Sequence, residues 1–208
     1  AEEQEHIEDA LYRQTVRQRG GAPTVVLYDV TSSYLEGEQN ELAAFGYNRD
    51  KKPSKAQIVI GLLTTADGEP LAVHVYEGNT ADPATVPEQV HTLQSRFGIT
   101  EVVFVGDRGM VKAKGKRGLT TAGFRYITAL TTPQVRRLLQ TQVLRTEWFT
   151  PQVHEVVHGA VRLILRRSEA LRQRAARRRA DKWAKLQSLI TARNTFVGTA
   201  KRAKPETG

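Results

Sequence analysis

The chain has no cysteine, which excludes disulfides and thiolate metal sites. An intracellular, cytoplasmic protein is the expectation that fits. Long apolar runs are missing too. The longest, Ile58 to Leu63, is far too short to span a bilayer, so no membrane partner is expected. The acidic start Ala1-Glu2-Glu3-Gln4-Glu5 lacks the pattern of a secretory signal, and without an initiator Met the chain is expected to begin inside a longer product. There is no Walker-type glycine loop and no Gly-x-Ser-x-Gly elbow, which sets aside P-loop and serine-hydrolase chemistry. Asp29-Val30-Thr31 lacks the second Asp that an aspartyl-phosphate phosphatase needs. The histidines at 6, 74, 91, 154 and 158 show no zinc spacing.

What the chain does have is positive charge, concentrated at one end. The net charge is +9 over 208 residues. Residues 160–208 hold 14 Lys+Arg against 3 Asp+Glu, whereas residues 1–159 are slightly acidic. A basic C-terminal quarter points to a polyanionic partner, of which nucleic acid is the commonest, or to a solvated basic helix.

Periodicity divides the rest. Ile7, Leu11 and Val16 mark a helix over 2–18, ended by Gly20-Gly21-Ala22-Pro23. Strands are predicted from Thr24 to Val30, Ile58 to Leu63 and Leu71 to Tyr76. Asp67-Gly68 turns the second back into the third. Phe45 to Pro53 reads as a loop, basic at its end. A helix follows from about Pro83 to Phe97, capped by Thr80 or Asp82 and closed by Gly98. The next strand, Glu101 to Gly106, follows a helical crossover and is expected to lie parallel to the first. Lys112 to Arg117 reads as a basic, glycine-broken loop, with a short helical piece from Leu119 to Ala122. A strand from Phe124 to Leu130, a helix from Pro133 to Gln142 and a hairpin around His158-Gly159 complete the pattern before a long helix. Ser168 caps that helix, which is expected to run from Glu169 to about Ala192, with a polar tail from Lys201. Three sequential strands and a crossover to a strand beside the first make the ribonuclease H topology, an α/β mixed sheet with flanking helices.

Two apolar runs end in an aspartate, Val25-Val26-Leu27-Tyr28-Asp29 and Val102-Val103-Phe104-Val105-Gly106-Asp107. A single strand-end Asp is an ordinary turn residue, but the repeated context argues for a site. Carboxylates on neighbouring strand ends repel each other unless a cation lies between them, and hard oxygen ligands select Mg²⁺ or Mn²⁺. Asp29 and Asp107 are therefore the candidate metal ligands and catalytic acids for phosphodiester chemistry. Thr31, Ser32 and Ser33 could bond ligands or phosphate. Lys112, Lys114, Lys116 and Arg117, close to Asp107 in sequence, and Arg172, Arg178 and Lys182 on the basic helix are candidate DNA contacts. The alternative is a non-catalytic nucleic-acid-binding remnant acting through the Arg-rich helix.

Tyr28-Asp29-Val30-Thr31-Ser32-Ser33-Tyr34-Leu35-Glu36-Gly37 and Phe45-Gly46-Tyr47-Asn48-Arg49-Asp50-Lys51 resemble bacterial insertion-sequence transposases of the DDE class. So do Glu77-Gly78-Asn79-Thr80-Ala81-Asp82 and Gly106-Asp107-Arg108-Gly109-Met110. The resemblance covers about residues 24–190. It implies a ribonuclease H-like core that cuts and rejoins transposon-end DNA with divalent metal, Asp29 as the first acid, Asp107 as the second, and a homodimer in the full-length protein. The implied organisation is an N-terminal helix and linker (1–23), a partial catalytic core (24–145), part of a β-rich insertion (146–167), and a basic helix and tail (168–208). The family's third acid is a Glu in a Tyr-x2-Arg-x3-Glu-x6-Lys motif. No Tyr follows Tyr126, and Glu147, Glu155, Glu169 and Glu206 lack that context, so the third acid is expected beyond residue 208 and the chain is expected to be inactive or nearly so.

Overall fold

The computed structural model describes residues 2–37, 39–47, 49 and 54–202. It divides into two compact units, Ala1–Thr131 and Thr132–Gly208.

The first unit is built on a five-stranded sheet. Helix α1 (Glu2–Arg19) leads into strand β1 (Val25–Tyr34), followed by β2 (Gln57–Thr65) and β3 (Pro70–Glu77). Helix α2 (Asp82–His91), a π-helical turn (Thr92–Arg96), β4 (Val103–Gly106), α3 (Ala113–Thr121) and β5 (Arg125–Ile127) complete it. The strand order is β3-β2-β1-β4-β5. β2 runs antiparallel to both its neighbours, whereas β1, β4 and β5 are parallel. This is the ribonuclease H arrangement expected from the element order, with the helical crossover placing β4 beside β1.

Alternation along β1 fixes its faces. Val26, Tyr28 and Val30 point into the core, where they meet Val59 and Leu63 of β2, Phe104 of β4, Val86 of α2 and Leu119 of α3. Leu27, Asp29, Thr31 and Ser33 lie on the opposite face. Glycine makes the core contacts possible at one position of β2. A Cβ on Gly61 would stand 2.3 Å from the Tyr28 hydroxyl.

Helix α1 protects the sheet edge. β3 is an edge strand, and its Val73 N–H donates to Glu8 (2.9 Å) while Val73 C=O accepts from the Gln4 amide (2.7 Å). Side chains thus take the place of a further strand. Arg96, from the π-helical turn, donates to Glu8 and to Asp9, each at 2.8 Å.

Several local expectations are corrected. β1 does not stop at Val30 but continues to Tyr34, because its ladder to β2 runs unbroken to Tyr34↔Gln57. The cap of α2 is neither Thr80 nor Asp82. Ala81 stands there without a side-chain bond, and the Asp82 carboxylate is held by Arg49 instead. Pro87 lies inside α2, and the helix then widens to the π turn, where the Phe97 N–H reaches the Thr92 carbonyl. Lys112–Arg117 is not a loop. Lys112 stands at the N-cap position and Lys114, Lys116 and Arg117 are helical. Gly115 weakens the helix intrinsically, but it is buried and a Cβ there would lie 3.5 Å from the Met110 carbonyl and 3.8 Å from Val86, so packing against α2 outweighs propensity. The strand expected from Phe124 to Leu130 is confined to Arg125–Ile127.

The second unit comprises α4 (Thr132–Gln140), a 3₁₀ turn (Thr146–Trp148), the hairpin β6 (His154–His158) and β7 (Val161–Leu165), and α5 (Glu169–Arg202). The hairpin closes as expected at Gly159, whose φ is +58°. Ser168 Oγ accepts from the Leu171 N–H at 3.4 Å, the predicted cap. α5 runs ten residues past its predicted end at Ala192, since no proline stands between Ala192 and Arg202 and Gly198 alone does not stop a helix. Among the described residues no helix is long and apolar enough to cross a membrane.

Candidate active site

Asp29 and Asp107 come together through register. The parallel ladder of β1 and β4 runs from Val25↔Val103 to Tyr28↔Gly106. Each aspartate is the residue after that last pair, Asp29 within β1 and Asp107 just past the end of β4, and both line one concavity. Asp29 is thus mid-strand towards β2, opposite Leu62, and at the strand end only towards β4. That differs from an aspartate emerging at the end of its strand.

The local sequence sets both side chains. β1 alternates, so Asp29 shares its face with Leu27 and Thr31 and is exposed while Tyr28 and Val30 are buried. Its Oδ1 accepts from the Val30 N–H at 2.9 Å. At Asp107 the chain turns. The Met110 and Val111 N–H groups both donate to the Asp107 carbonyl at 3.1 Å. A Cβ on Gly106 would meet Val111 at 2.9 Å, so a glycine before Asp107 admits the turn. Asp107 Oδ1 accepts from the Arg108 N–H at 2.6 Å. Each carboxylate is therefore oriented by a bond to the following backbone N–H, and among the described residues each makes no other hydrogen bond.

The two carboxylates line a shallow, open concavity of about 520 Å³ with Leu27, Leu62, Thr64 and Val105. Tyr28 adjoins it but turns its phenol into the core, where burial pushes it above the usual range and leaves a neutral hydroxyl. Thr31 and Ser33 share the Asp29 face, whereas Ser32 points to the other side and is buried. Ser32 is thus removed from the set of hydroxyls that could meet a ligand.

A further carboxylate stands beside the site. Asp82, the first residue of α2, accepts from Arg49 Nη2 at 2.5 Å. A Cβ placed on Gly109 would lie 3.5 Å from Asp107 Oδ2 and 4.0 Å from Asp82 Oδ2. Asp82 and Asp107 therefore converge on one point above Gly109. The signal was the strand-to-helix junction itself, which aims the first residue of α2 along the sheet end where Asp107 emerges. Among the described residues, however, no group of three or more carboxylates or histidines is close enough to enclose a metal. Asp29 and Asp107 offer carboxylate oxygens, the donor type that hard divalent cations take.

The predicted basic residues fall in two places. Lys112, Lys114 and Arg117 are exposed at and after the start of α3. Lys116 is half-buried, its ammonium 5.5 Å over the Tyr126 ring. Arg172, Arg178 and Lys182 lie on α5 and are exposed. Arg172 is engaged by both carboxylate oxygens of Glu169. Glu155 likewise gives both oxygens to Arg162. Residues 48 and 50–53 of the basic loop and 203–208 of the tail lie outside the described residues.

A family model described as Transposase DDE domain matches residues 20–200. Among solved structures the chain is similar to piggyBac transposase in a synaptic complex with hairpin DNA, at 12% identity and TM-score 0.49, over 71% of this chain and 31% of that one. It is also similar to Mos1 transposase in a paired-end complex with the left transposon end, at 10% identity and TM-score 0.35, over 68% of this chain and 55% of that one. A Mos1 mariner paired-end complex with Mn gives 11% identity and TM-score 0.34, over 68% and 55%. The chain thus spans less than two thirds of the length of these proteins. No curated protein matches it.

Proposed function

We propose that this chain, which belongs to the transposase DDE domain family, provides two carboxylates of a divalent-metal centre that cuts transposon-end DNA and joins it to a target. The observation that carries this reading is the register. The last pair of the β1–β4 ladder is Tyr28↔Gly106, and Asp29 and Asp107 follow it side by side at one end of the sheet.

Asp29 and Asp107 would hold Mg²⁺ or Mn²⁺. Such an ion, when bound, supplies Lewis acidity to a phosphoryl oxygen and acidifies an attacking water or 3′-hydroxyl. The chain's own part is orientation. The N–H groups of Val30 and Arg108 fix one oxygen of each carboxylate, leaving the second free for a ligand. Leu27, Leu62 and Val105 flank the pair with apolar surface, which lowers the local dielectric once a phosphodiester covers it. Thr31, two residues along the same face, is within one strand repeat of Asp29 and could bond a phosphate oxygen. Lys112, Lys114 and Arg117 would take phosphates further along the strand.

Two carboxylates leave one side of such a site open, so this chain alone is expected to give little or no strand transfer. The test is direct binding. Titration with Mn²⁺, followed by calorimetry or paramagnetic resonance, should show an ion bound by the parent and lost, or weakened at least tenfold, in Asp29→Asn and Asp107→Asn. Mn²⁺ binding and any DNA nicking left unchanged by Asp29→Asn would sink the reading, and robust strand transfer by these 208 residues would sink the expectation of an incomplete site.

A further inference from the structure

We infer that Arg49 is a DNA-phosphate contact beside the catalytic acids, parked on Asp82 when no DNA is bound. The inference rests on the DNA reading above and adds to it a residue that lies outside the basic residues of α3 and α5.

Residues 44–47, which lead towards Arg49, are held by bonds that do not involve it. Ala44 and Gln57 exchange both backbone hydrogen bonds, at 3.1 and 3.0 Å. The Gln57 amide donates to the Gly78 carbonyl at 2.7 Å and to the Tyr47 carbonyl at 3.1 Å. Gly46 crosses the Gly78 backbone so closely that a Cβ on Gly46 would lie 2.2 Å from the Gly78 carbonyl oxygen. Gln57 is 1% exposed, so this anchor is a buried one. The Arg49–Asp82 pair is different in kind. Its side chains are 26% and 34% exposed, a setting in which an ion pair adds little to stability.

Asp82 does not need Arg49 for its charge to be tolerated. As the first residue of α2 it sits where helix dipole and free N–H groups favour an anion. Arg49 uses one guanidinium nitrogen on Asp82, and a guanidinium offers five donors in a fork that matches phosphate. Position completes the case. Asp82 and Asp107 converge on the point above Gly109, so an Arg released from Asp82 is released at the edge of the catalytic site. A strand crossing Asp107 would bring phosphates to that edge, and exchange of carboxylate for phosphate keeps the guanidinium paired throughout.

The exchange predicts opposite effects from the two partners. Affinity for a short fluorescent blunt-ended DNA duplex is measured by anisotropy against salt, in EDTA so that no metal contributes. Arg49→Ala should weaken binding severalfold and reduce the slope of log affinity against log salt by about 1. Arg49→Lys should keep the slope. Asp82→Asn should bind as well as the parent or severalfold better, because Arg49 no longer has to leave a carboxylate. Thermal melts should stay within a few degrees for all three, as expected for a half-exposed pair. Parallel losses in Arg49→Ala and Asp82→Asn would make the pair a structural clasp and overturn the inference. So would an Arg49→Ala that keeps the parent's affinity and slope. A parent that binds no duplex would overturn the DNA reading itself, a result distinguishable from a binding parent with an indifferent Arg49.

Discussion

At the scale of single residues, the acids hold their places because their neighbours are small or buried. Gly61 pairs with Val30, next to Asp29, and supports Tyr28 across the ladder. A methyl group there would stand 2.3 Å from the Tyr28 hydroxyl and 3.0 Å from two of its ring carbons. Tyr28 is 3% exposed and tilted against Phe104, so it has nowhere to retreat. Overpacking of this kind costs about 1–3 kcal/mol, more than the ~0.4–1 kcal/mol that Gly→Ala gains by stiffening the unfolded chain. Gly61→Ala should therefore lower the melting temperature, and Tyr28→Phe in the same chain should recover part of the loss by removing the closest atom. Equal melting of parent and Gly61→Ala would show that the ring moves freely. The aspartates themselves were legible in the sequence, because apolar runs ending in Asp occur twice. Their depth in the strand was not. Thr31-Ser32-Ser33 is polar enough to read as lying past the strand, yet its alternate residues face core and solvent in turn, and pairing with β2 carries the strand on.

Among the elements, topology was readable and the details of glycine-bearing and basic segments were not. Asp67-Gly68 and the helical crossover before Glu101 announce an antiparallel meander followed by a parallel strand, and that is the sheet observed. α3 was hidden because Gly115 and Gly118 lower helix propensity in a window of lysines, whereas the buried face that stabilises it exists only once α2 is in place. The edge protection by α1 was hidden as well, since Glu8 looks like any other charge on an acidic helix. Burial acts to raise the Glu8 pKa, but hydrogen bonds from Gln4, the Val73 N–H and Arg96 outweigh it and hold the carboxyl below its usual value. A depressed folded-state pKa contributes stability above the unfolded value, and that contribution is lost as pH falls through the folded one. Melting temperature should thus fall as pH drops below about 4.5, the ordinary value for Glu. Glu8→Gln should lose roughly 1–3 kcal/mol at neutral pH and show a shallower acid limb. Parallel pH profiles for parent and Glu8→Gln would remove Glu8 from the acid response.

Over the whole molecule, charge separates from fold. The sheet and its acids occupy the slightly acidic part of the chain, while the positive excess lies after residue 160. Helix α5 carries most of that excess, and its described side chains are exposed along their whole length, so no packing role accounts for its arginines. Arg172 is already clasped by Glu169, whereas Arg178 and Lys182 make no ion pair among the described residues and should matter more for a polyanion. Each phosphate neutralised contributes about −0.9 to the slope of log affinity against log salt on duplex DNA. Replacing Arg178 and Lys182 together by Ala should reduce that slope by up to about 2. Alanine is the strongest helix former, so circular dichroism should show α5 unweakened and the loss can be assigned to charge. The Mn²⁺ binding proposed for Asp29 and Asp107 should survive the same change, because neither Arg178 nor Lys182 belongs to that carboxylate pair. A slope that stays at the parent's value would mean that α5 is a solvated basic helix, and any DNA contact would then have to come from Arg49 and the basic residues of α3.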